Sequence, residues 1–122
     1  QEDANEFFNA LADQLEPHLK GTPQEHMFRD TFGGQYIHQI ISHECEHISQ
    51  RTEPFLTISI KVQNKRNVKE SLETFIQGDM LDGNSKYKCE QCDPTAFVKA
   101  KMRCCIQHLP NTLILHLKRF EF

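Results

Sequence analysis

The first twenty residues carry apolar side chains three and four positions apart, as on one face of a helix. These positions are Ala4, Phe7, Phe8, Leu11 and Leu15. Asp3 stands in the N-cap position, with Glu6 at the spacing of a capping box. We therefore predict a helix with a buried stripe, which Pro17 ends or kinks. On periodicity alone, the polar residues of its first turn are a cap and a solvated surface.

A second helical pattern begins after residue 66. Asn67 is its predicted cap, with Glu70 three residues later, and Gly78 lies near its end. The predicted buried stripe consists of Val68, Leu72, Phe75 and Ile76.

Four other segments indicate β-strands, most of them by alternating apolar and polar residues. They are residues 36–41, 55–62, 96–107 and 113–117. The first follows a predicted turn at Phe32-Gly33-Gly34, and Leu109-Pro110 separates the last two. We expect the first two strands to pair with each other. By periodicity, the chain is a helix followed by a β-rich segment.

Composition narrows the class of protein. The chain is 38% apolar and 25% charged, with a net charge of -3, as in a globular segment with one modest core. No apolar run approaches the roughly 20 residues of a membrane span, and the spread of basic residues argues against a nucleic-acid partner. An odd total of five cysteines indicates a reducing, intracellular compartment, the cytoplasm or nucleus. Because it begins at Gln1 and stops within a strand-like run at Phe122, we expect an excerpt of a longer chain.

Cys89 and Cys92 form a Cys-x-x-Cys pair between a turn and a strand, a spacing that favours a zinc knuckle over a redox motif. A four-ligand site needs two further ligands. Cys45, with His43 or His47, supplies candidates from a second polar turn. The alternative, a knuckle without metal that survives as a β-turn, stays open.

The remaining cysteines and histidines form no complete catalytic set. Cys104 and Cys105 are predicted to be core or half-buried thiols, because Cys104 lies on the apolar face of its strand. His116 alternates with leucines and has no evident acidic partner, so we predict a surface histidine. His38 has no spacing signal.

Further motifs run through the chain in a fixed order. They are Gln1 to Phe7, Phe32-Gly33-Gly34, Cys45 to Ser49, Phe55 to Ile60, Leu81-Asp82-Gly83, Tyr87 to Cys92, Leu109-Pro110 and Ile114 to Phe120. The set resembles the ubiquitin-specific proteases, the papain-like deubiquitinases, whose first motif is Gln-Gln-Asp-Ala-His-Glu-Phe. Here Glu2 and Asn5 depart from that motif.

The resemblance implies an α+β fold with the thumb, palm and fingers of this family. Residues 1–20 would supply a thumb helix, residues 32–104 zinc-ribbon-like fingers, and residues 105–122 a palm strand. The fingers would grip ubiquitin while its C-terminal tail threads between thumb and palm. By the family's motifs, Asp3 would contact that tail and Phe120 would border its channel.

The resemblance also implies a structural zinc site. The family's first ligand pair is Cys-x-x-Cys, and here Ser42 stands in the place of its first cysteine. The implied ligands are therefore Cys45, Cys89, Cys92 and, as the substitute, His43.

The implied activity is hydrolysis of the isopeptide bond at the C-terminus of ubiquitin, with ubiquitin and ubiquitinated proteins as partners and no nucleic acid or membrane. In this family the nucleophilic cysteine lies upstream of Gln1 and the catalytic histidine downstream of Phe122, so no catalytic residue is expected here. The alternative is a non-catalytic ubiquitin-binding or scaffold module from an inactive member. A nucleic-acid-binding ribbon ranks lower, because the basic stripe of Lys99, Lys101 and Arg103 lacks interleaved aromatics.

Overall fold

The structure, a computed structural model, describes residues 3–91 and 96–120. These residues form a mixed α+β arrangement. The helices are α1 (Ala4–Leu19), α2 (Met27–Phe32) and α3 (Val68–Gln77), with a 3-10 turn at Gly83–Ser85. The strands are β1 (Gly34–Ser42), β2 (Ile48–Phe55), β3 (Ile58–Lys61), β4 (Asp79–Leu81), β5 (Tyr87–Lys88), β6 (Phe97–Val98), β7 (Ala100–His108) and β8 (Leu115–Lys118). None of the described helices is long and apolar enough to cross a membrane.

The largest sheet has the order β2-β1-β7-β4, and its neighbouring strands are antiparallel. β3 and β8 form a parallel pair, and β5 and β6 an antiparallel pair. The expected pairing of residues 36–41 with residues 55–62 is therefore wrong, because β1 pairs with β2 and β7 instead. β2 is an edge strand with mostly polar residues and Pro54, a composition that an edge tolerates but that hides the strand pattern.

The core lies where α3 and β3 meet the large sheet. Phe55, Ile58 and Ile60 are buried there. Partly buried side chains pack around them: Tyr36, Leu72, Phe75, Ile106, Leu115 and Leu117. The Tyr36 and Phe55 rings stack with centroids 5.2 Å apart. The predicted burial is confirmed for Ile58 and Ile60 in β3 and, in part, for the surrounding Leu72, Phe75, Leu115 and Leu117. It is wrong for Val68, Ile76 and Leu113, whose side chains are exposed.

Helix α1 forms as predicted, but its apolar stripe is not buried. Phe7 is 69% exposed, and Leu11 and Leu15 are exposed as well. Phe8 of the stripe packs against the aromatic rings of Phe28 and Phe32 in α2. Helical periodicity predicts that a face is apolar but does not identify the element that covers it.

Of the two predicted effects of Pro17, an end of α1 at that residue is wrong, since the helix continues to Leu19. A proline this close to the end removes one hydrogen bond from the last turn, and the two following residues still complete that turn. The predicted turn at residues 32–34 overlaps α2, because residue 32 is the last residue of that helix. The Gly33 backbone N–H caps the helix by donating to the Arg29 carbonyl at 2.8 Å.

Two glycines allow close approach between elements. A Cβ on Gly34 would contact the Phe55 ring and the His108 carbonyl, so β1 begins where its neighbours leave no room for a side chain. Gly78 ends α3 with φ of 70°, and a Cβ there would contact the Met102 carbonyl oxygen. The backbone conformation at Gly78 is thus one that essentially only glycine adopts.

Candidate functional site

Asp3, the predicted tail-contact residue, caps the N-terminus of α1. Its Oδ1 accepts a hydrogen bond from the Asn5 backbone N–H at 2.8 Å, which confirms the predicted cap. The same oxygen lies 3.3 Å from Nε2 of His116, and the Asp3 side chain is 39% exposed. A carboxylate here benefits from the helix dipole and stays accessible to a cationic ligand.

Two polar contacts join this end of α1 to the β3–β8 pair. Nδ1 of His116 lies 3.0 Å from Oγ of Ser59, its register partner in β3. The Thr57 hydroxyl donates to Oδ1 of Asn5 at 2.6 Å. The expectation that His116 lacks an acidic partner is therefore wrong. No spacing signal could reveal the pair, because Asp3 and His116 lie at opposite ends of the chain.

Phe120, the other residue predicted at the tail channel, lies two residues beyond β8. Its side chain is 67% exposed. It follows His116 by four residues, which bounds the distance between their Cα atoms at about 14 Å. Asp3, through its contact with His116, and Phe120, through the chain, are thus both linked to β8.

The polar turn after β1 brings Ser42 and Cys45 close to the Cys89 turn. The buried Ser42 hydroxyl oxygen accepts from the backbone N–H groups of Glu44 at 3.3 Å and Cys45 at 3.1 Å. Sγ of Cys45 lies 3.1 Å from that oxygen and 3.7 Å from Sγ of Cys89. Two residues from the first predicted turn therefore meet one from the second.

This spacing fits a metal with thiolate ligands. A tetrahedral zinc with Zn–S bonds of about 2.3 Å holds two sulfurs about 3.8 Å apart. Because zinc binds thiolates, zinc chemistry at this turn belongs to the reduced protein.

The other predicted zinc ligands are Cys92 and the two histidines of the polar turn. Cys92 lies outside the described residues. The His43 side chain is exposed, and its backbone N–H donates to the Lys99 carbonyl at 2.8 Å. The His47 carbonyl accepts from the Ser42 N–H at 3.2 Å. Within residues 3–91 and 96–120, no group of three or more His, Cys, Asp or Glu side chains is placed to hold a metal ion.

Comparison with known proteins covers the whole chain. A family model described as ubiquitin carboxyl-terminal hydrolase matches residues 1–122. The chain is 38% identical over 122 residues to "Ubiquitin carboxyl-terminal hydrolase 24" of Mus musculus and to "Probable ubiquitin carboxyl-terminal hydrolase FAF" of Drosophila melanogaster. It is 34% identical over 125 residues to "Ubiquitin carboxyl-terminal hydrolase 34" of Homo sapiens. The matches span the whole of this chain. They cover only 5%, 4% and 3%, respectively, of the length of these relatives.

Proposed function

The chain belongs to the ubiquitin carboxyl-terminal hydrolase family, and we propose that it is the ubiquitin-binding part of a cysteine-type deubiquitinase. In this proposal residues 1–20 belong to the thumb, residues 32–104 to the fingers and residues 105–122 to the palm. The protein that carries it would act inside the cell on ubiquitinated proteins. A thiolate would attack the carbonyl of ubiquitin's C-terminal glycine, and water would release the resulting acyl-enzyme.

One observation carries the proposed role of this chain, the contact between the Asp3 carboxylate and His116. Both the hydrogen bond from Asn5 and the contact with His116 use Oδ1 of Asp3, so within the described residues neither of these two contacts engages Oδ2. A carboxylate held in this way binds an arginine of the ubiquitin tail through a charge-assisted hydrogen bond. Phe120 would then supply an apolar wall along the same tail.

Zinc is the proposed structural cofactor of the fingers in the reduced protein. The 3.7 Å between the sulfurs of Cys45 and Cys89 supports this proposal. Cys92 would be the third ligand. His43 is the proposed fourth, and it would have to turn its exposed imidazole toward the sulfurs. When bound, the metal would tie the turn after β1 to the turn after β5.

The test uses the intact protein and ubiquitin that carries a thiol-reactive group at its C-terminus. We expect a covalent adduct, and we expect Asp3→Asn to slow its formation about tenfold or more, because a hydrogen bond to a charged group contributes about 1.5–3 kcal/mol. Asparagine caps a helix as well as aspartate does, so this variant removes the charge and keeps α1.

Asp13→Asn is the matched control, since Asp13 is an exposed aspartate in the same helix. It should leave the rate unchanged. Ubiquitin binding without an adduct would favour the non-catalytic ubiquitin-binding module instead. Equal rates for the wild type and Asp3→Asn would remove the tail-contact role.

A further inference from the structure

A cysteine, a histidine and a glutamate form a chain of contacts on the large sheet, away from Asp3 and from the polar turn. Sγ of Cys104 in β7 lies 3.0 Å from Nδ1 of His38, its register partner in β1. Nε2 of the same ring lies 2.9 Å from Oε2 of Glu53 in β2. Three neighbouring strands therefore align a thiol, an imidazole and a carboxylate.

The order of these groups decides where the protons are. An ionised carboxylate only accepts hydrogen bonds, so the neutral ring of His38 carries its proton on Nε2 and donates it to Glu53. Nδ1 then presents a lone pair to the thiol of Cys104. This is the relation of nucleophile, base and orienting acid that activates thiols in general.

The resting sulfur is a thiol. Burial, followed by the nearby Cys105 and Glu53, raises the pKa of Cys104. Reaction therefore requires a base in contact with the S–H group, and His38 is that base. The His38 and Glu53 side chains are 35% and 44% exposed, so a small reagent can reach the cluster from solvent.

We propose that Cys104 is a modification site, a thiol that His38 and Glu53 prepare for oxidation by a peroxide. In the reaction Nδ1 of His38 takes the S–H proton while the sulfur attacks one oxygen of hydrogen peroxide. The O–O bond breaks as the S–O bond forms, and the departing hydroxide takes the proton from His38 and leaves as water. The sulfur is oxidised to a sulfenic acid, and the peroxide is reduced to water.

Cys105 provides an internal reference for this reactivity. It is the next residue of β7, is also half-buried, and points to the opposite face of the sheet. Its Sγ lies 3.8 Å from Oε1 of Gln39, an amide that cannot act as a base. Because the two thiols face opposite sides of one strand, Cys105 is poorly placed to form a disulfide with an oxidised Cys104. The sulfenic acid should therefore persist long enough to be trapped.

The experiment treats the intact protein with hydrogen peroxide in the presence of dimedone, which labels sulfenic acids, and follows labelling of each cysteine by tandem mass spectrometry. We expect Cys104 to be labelled at least about tenfold faster than Cys105, since general-base catalysis contributes about 10²–10⁴-fold. His38→Ala should remove this advantage. Glu53→Gln should reduce it in part, because glutamine still orients the ring but does not stabilise the imidazolium.

Gln39→Ala is the matched control, because it removes a side chain of β1 that contacts Cys105 and Arg103 on the other face. It should leave the labelling rate of Cys104 unchanged. Thermal unfolding of each variant shows whether the sheet is intact, and Glu53→Gln keeps the test valid if His38→Ala does not fold. Equal labelling of the two cysteines in the wild type, or a Cys104 rate that neither variant lowers, would overturn the proposal.

Discussion

His116 holds the carboxylate of Asp3 at 3.3 Å although the two residues are separated by almost the whole chain. The histidine is 23% exposed and contacts Ser59 through its other nitrogen. Because both ring nitrogens contact another residue, the imidazole has little freedom to rotate. The N-cap residue of α1 is thereby oriented by β8, the strand that leads to Phe120.

Removal of this support should weaken the binding of ubiquitin while the fold persists. We expect His116→Ala to raise the Kd for ubiquitin about two- to fivefold, the size expected for a partly exposed polar contact. His116→Gln should recover part of the affinity, because its amide N–H donates to Asp3. The measurement is a binding titration with the intact protein. If alanine and glutamine bind ubiquitin equally well, the carboxylate does not depend on position 116.

Ser42→Cys should strengthen the proposed zinc site. In reduced protein we expect Ser42→Cys to raise the affinity for zinc, because zinc prefers thiolate ligands to a neutral hydroxyl. Since structural zinc contributes on the order of 10 kcal/mol, the midpoint of thermal unfolding should rise with added zinc. Metal content after dialysis against a mild chelator measures the effect.

Two comparisons keep the zinc prediction specific. Thr22→Cys adds a thiol in the exposed loop after α1 and should not change the zinc content. Cys89→Ser removes a buried sulfur of the site and should release the metal. If neither Ser42→Cys nor Cys89→Ser changes the zinc content, the metal lies elsewhere.

The two glycines with similar positive φ should respond very differently to alanine. Gly78 has φ of 70°, and an added Cβ there would clash with the Met102 carbonyl oxygen. Gly21 has φ of 80°, and an added Cβ there would have nothing within 4 Å. Gly21→Ala should cost about 1–2 kcal/mol of local stability, from backbone strain alone. Gly78→Ala should cost more, because strain is joined by a contact between α3 and β7. Amide hydrogen exchange of α3 and β7 measures the difference. Equal protection of these two elements in both variants would contradict the prediction.

The start of α3 should be sensitive to acid. Oε2 of Glu70 accepts the Arg66 backbone N–H at 2.9 Å, and Oε1 accepts its Nε–H at 2.7 Å. The backbone hydrogen bond first, and the guanidinium second, lower the pKa of Glu70 from its ordinary 4.5. Folding therefore favours the carboxylate, so its stabilisation is present above the ordinary pKa and disappears as pH falls through the lowered one.

We therefore expect Glu70→Gln to lower the thermal unfolding midpoint at neutral pH and to match the wild type in strong acid. Glu73→Gln is the control, because Glu73 lies in the same helix and only approaches Lys69 at 4.0 Å. A wild-type advantage over Glu70→Gln that is unchanged from neutral to acid pH would refute this prediction.

Local signals explain most of what could be predicted. The caps Asp3 and Asn67 and the strands around Ile58 and Leu115 follow from residues within a few positions, where side-chain spacing and backbone hydrogen bonding are coupled. β2 was missed because an edge strand needs no apolar alternation. Helix α2, at Met27–Phe32, was missed because so short a helix has no periodicity to detect.

The ordered motifs alone placed the chain in its family and named Asp3 and Phe120, because such motifs are read residue by residue. Only the tertiary structure decided which distant groups meet. The contacts of His116 with Asp3 and of Cys104 with His38 and Glu53 depend on strand pairing and register. Register is set by how whole faces pack, and a shift of one residue would turn His116, His38 or Cys104 to the other face of its sheet.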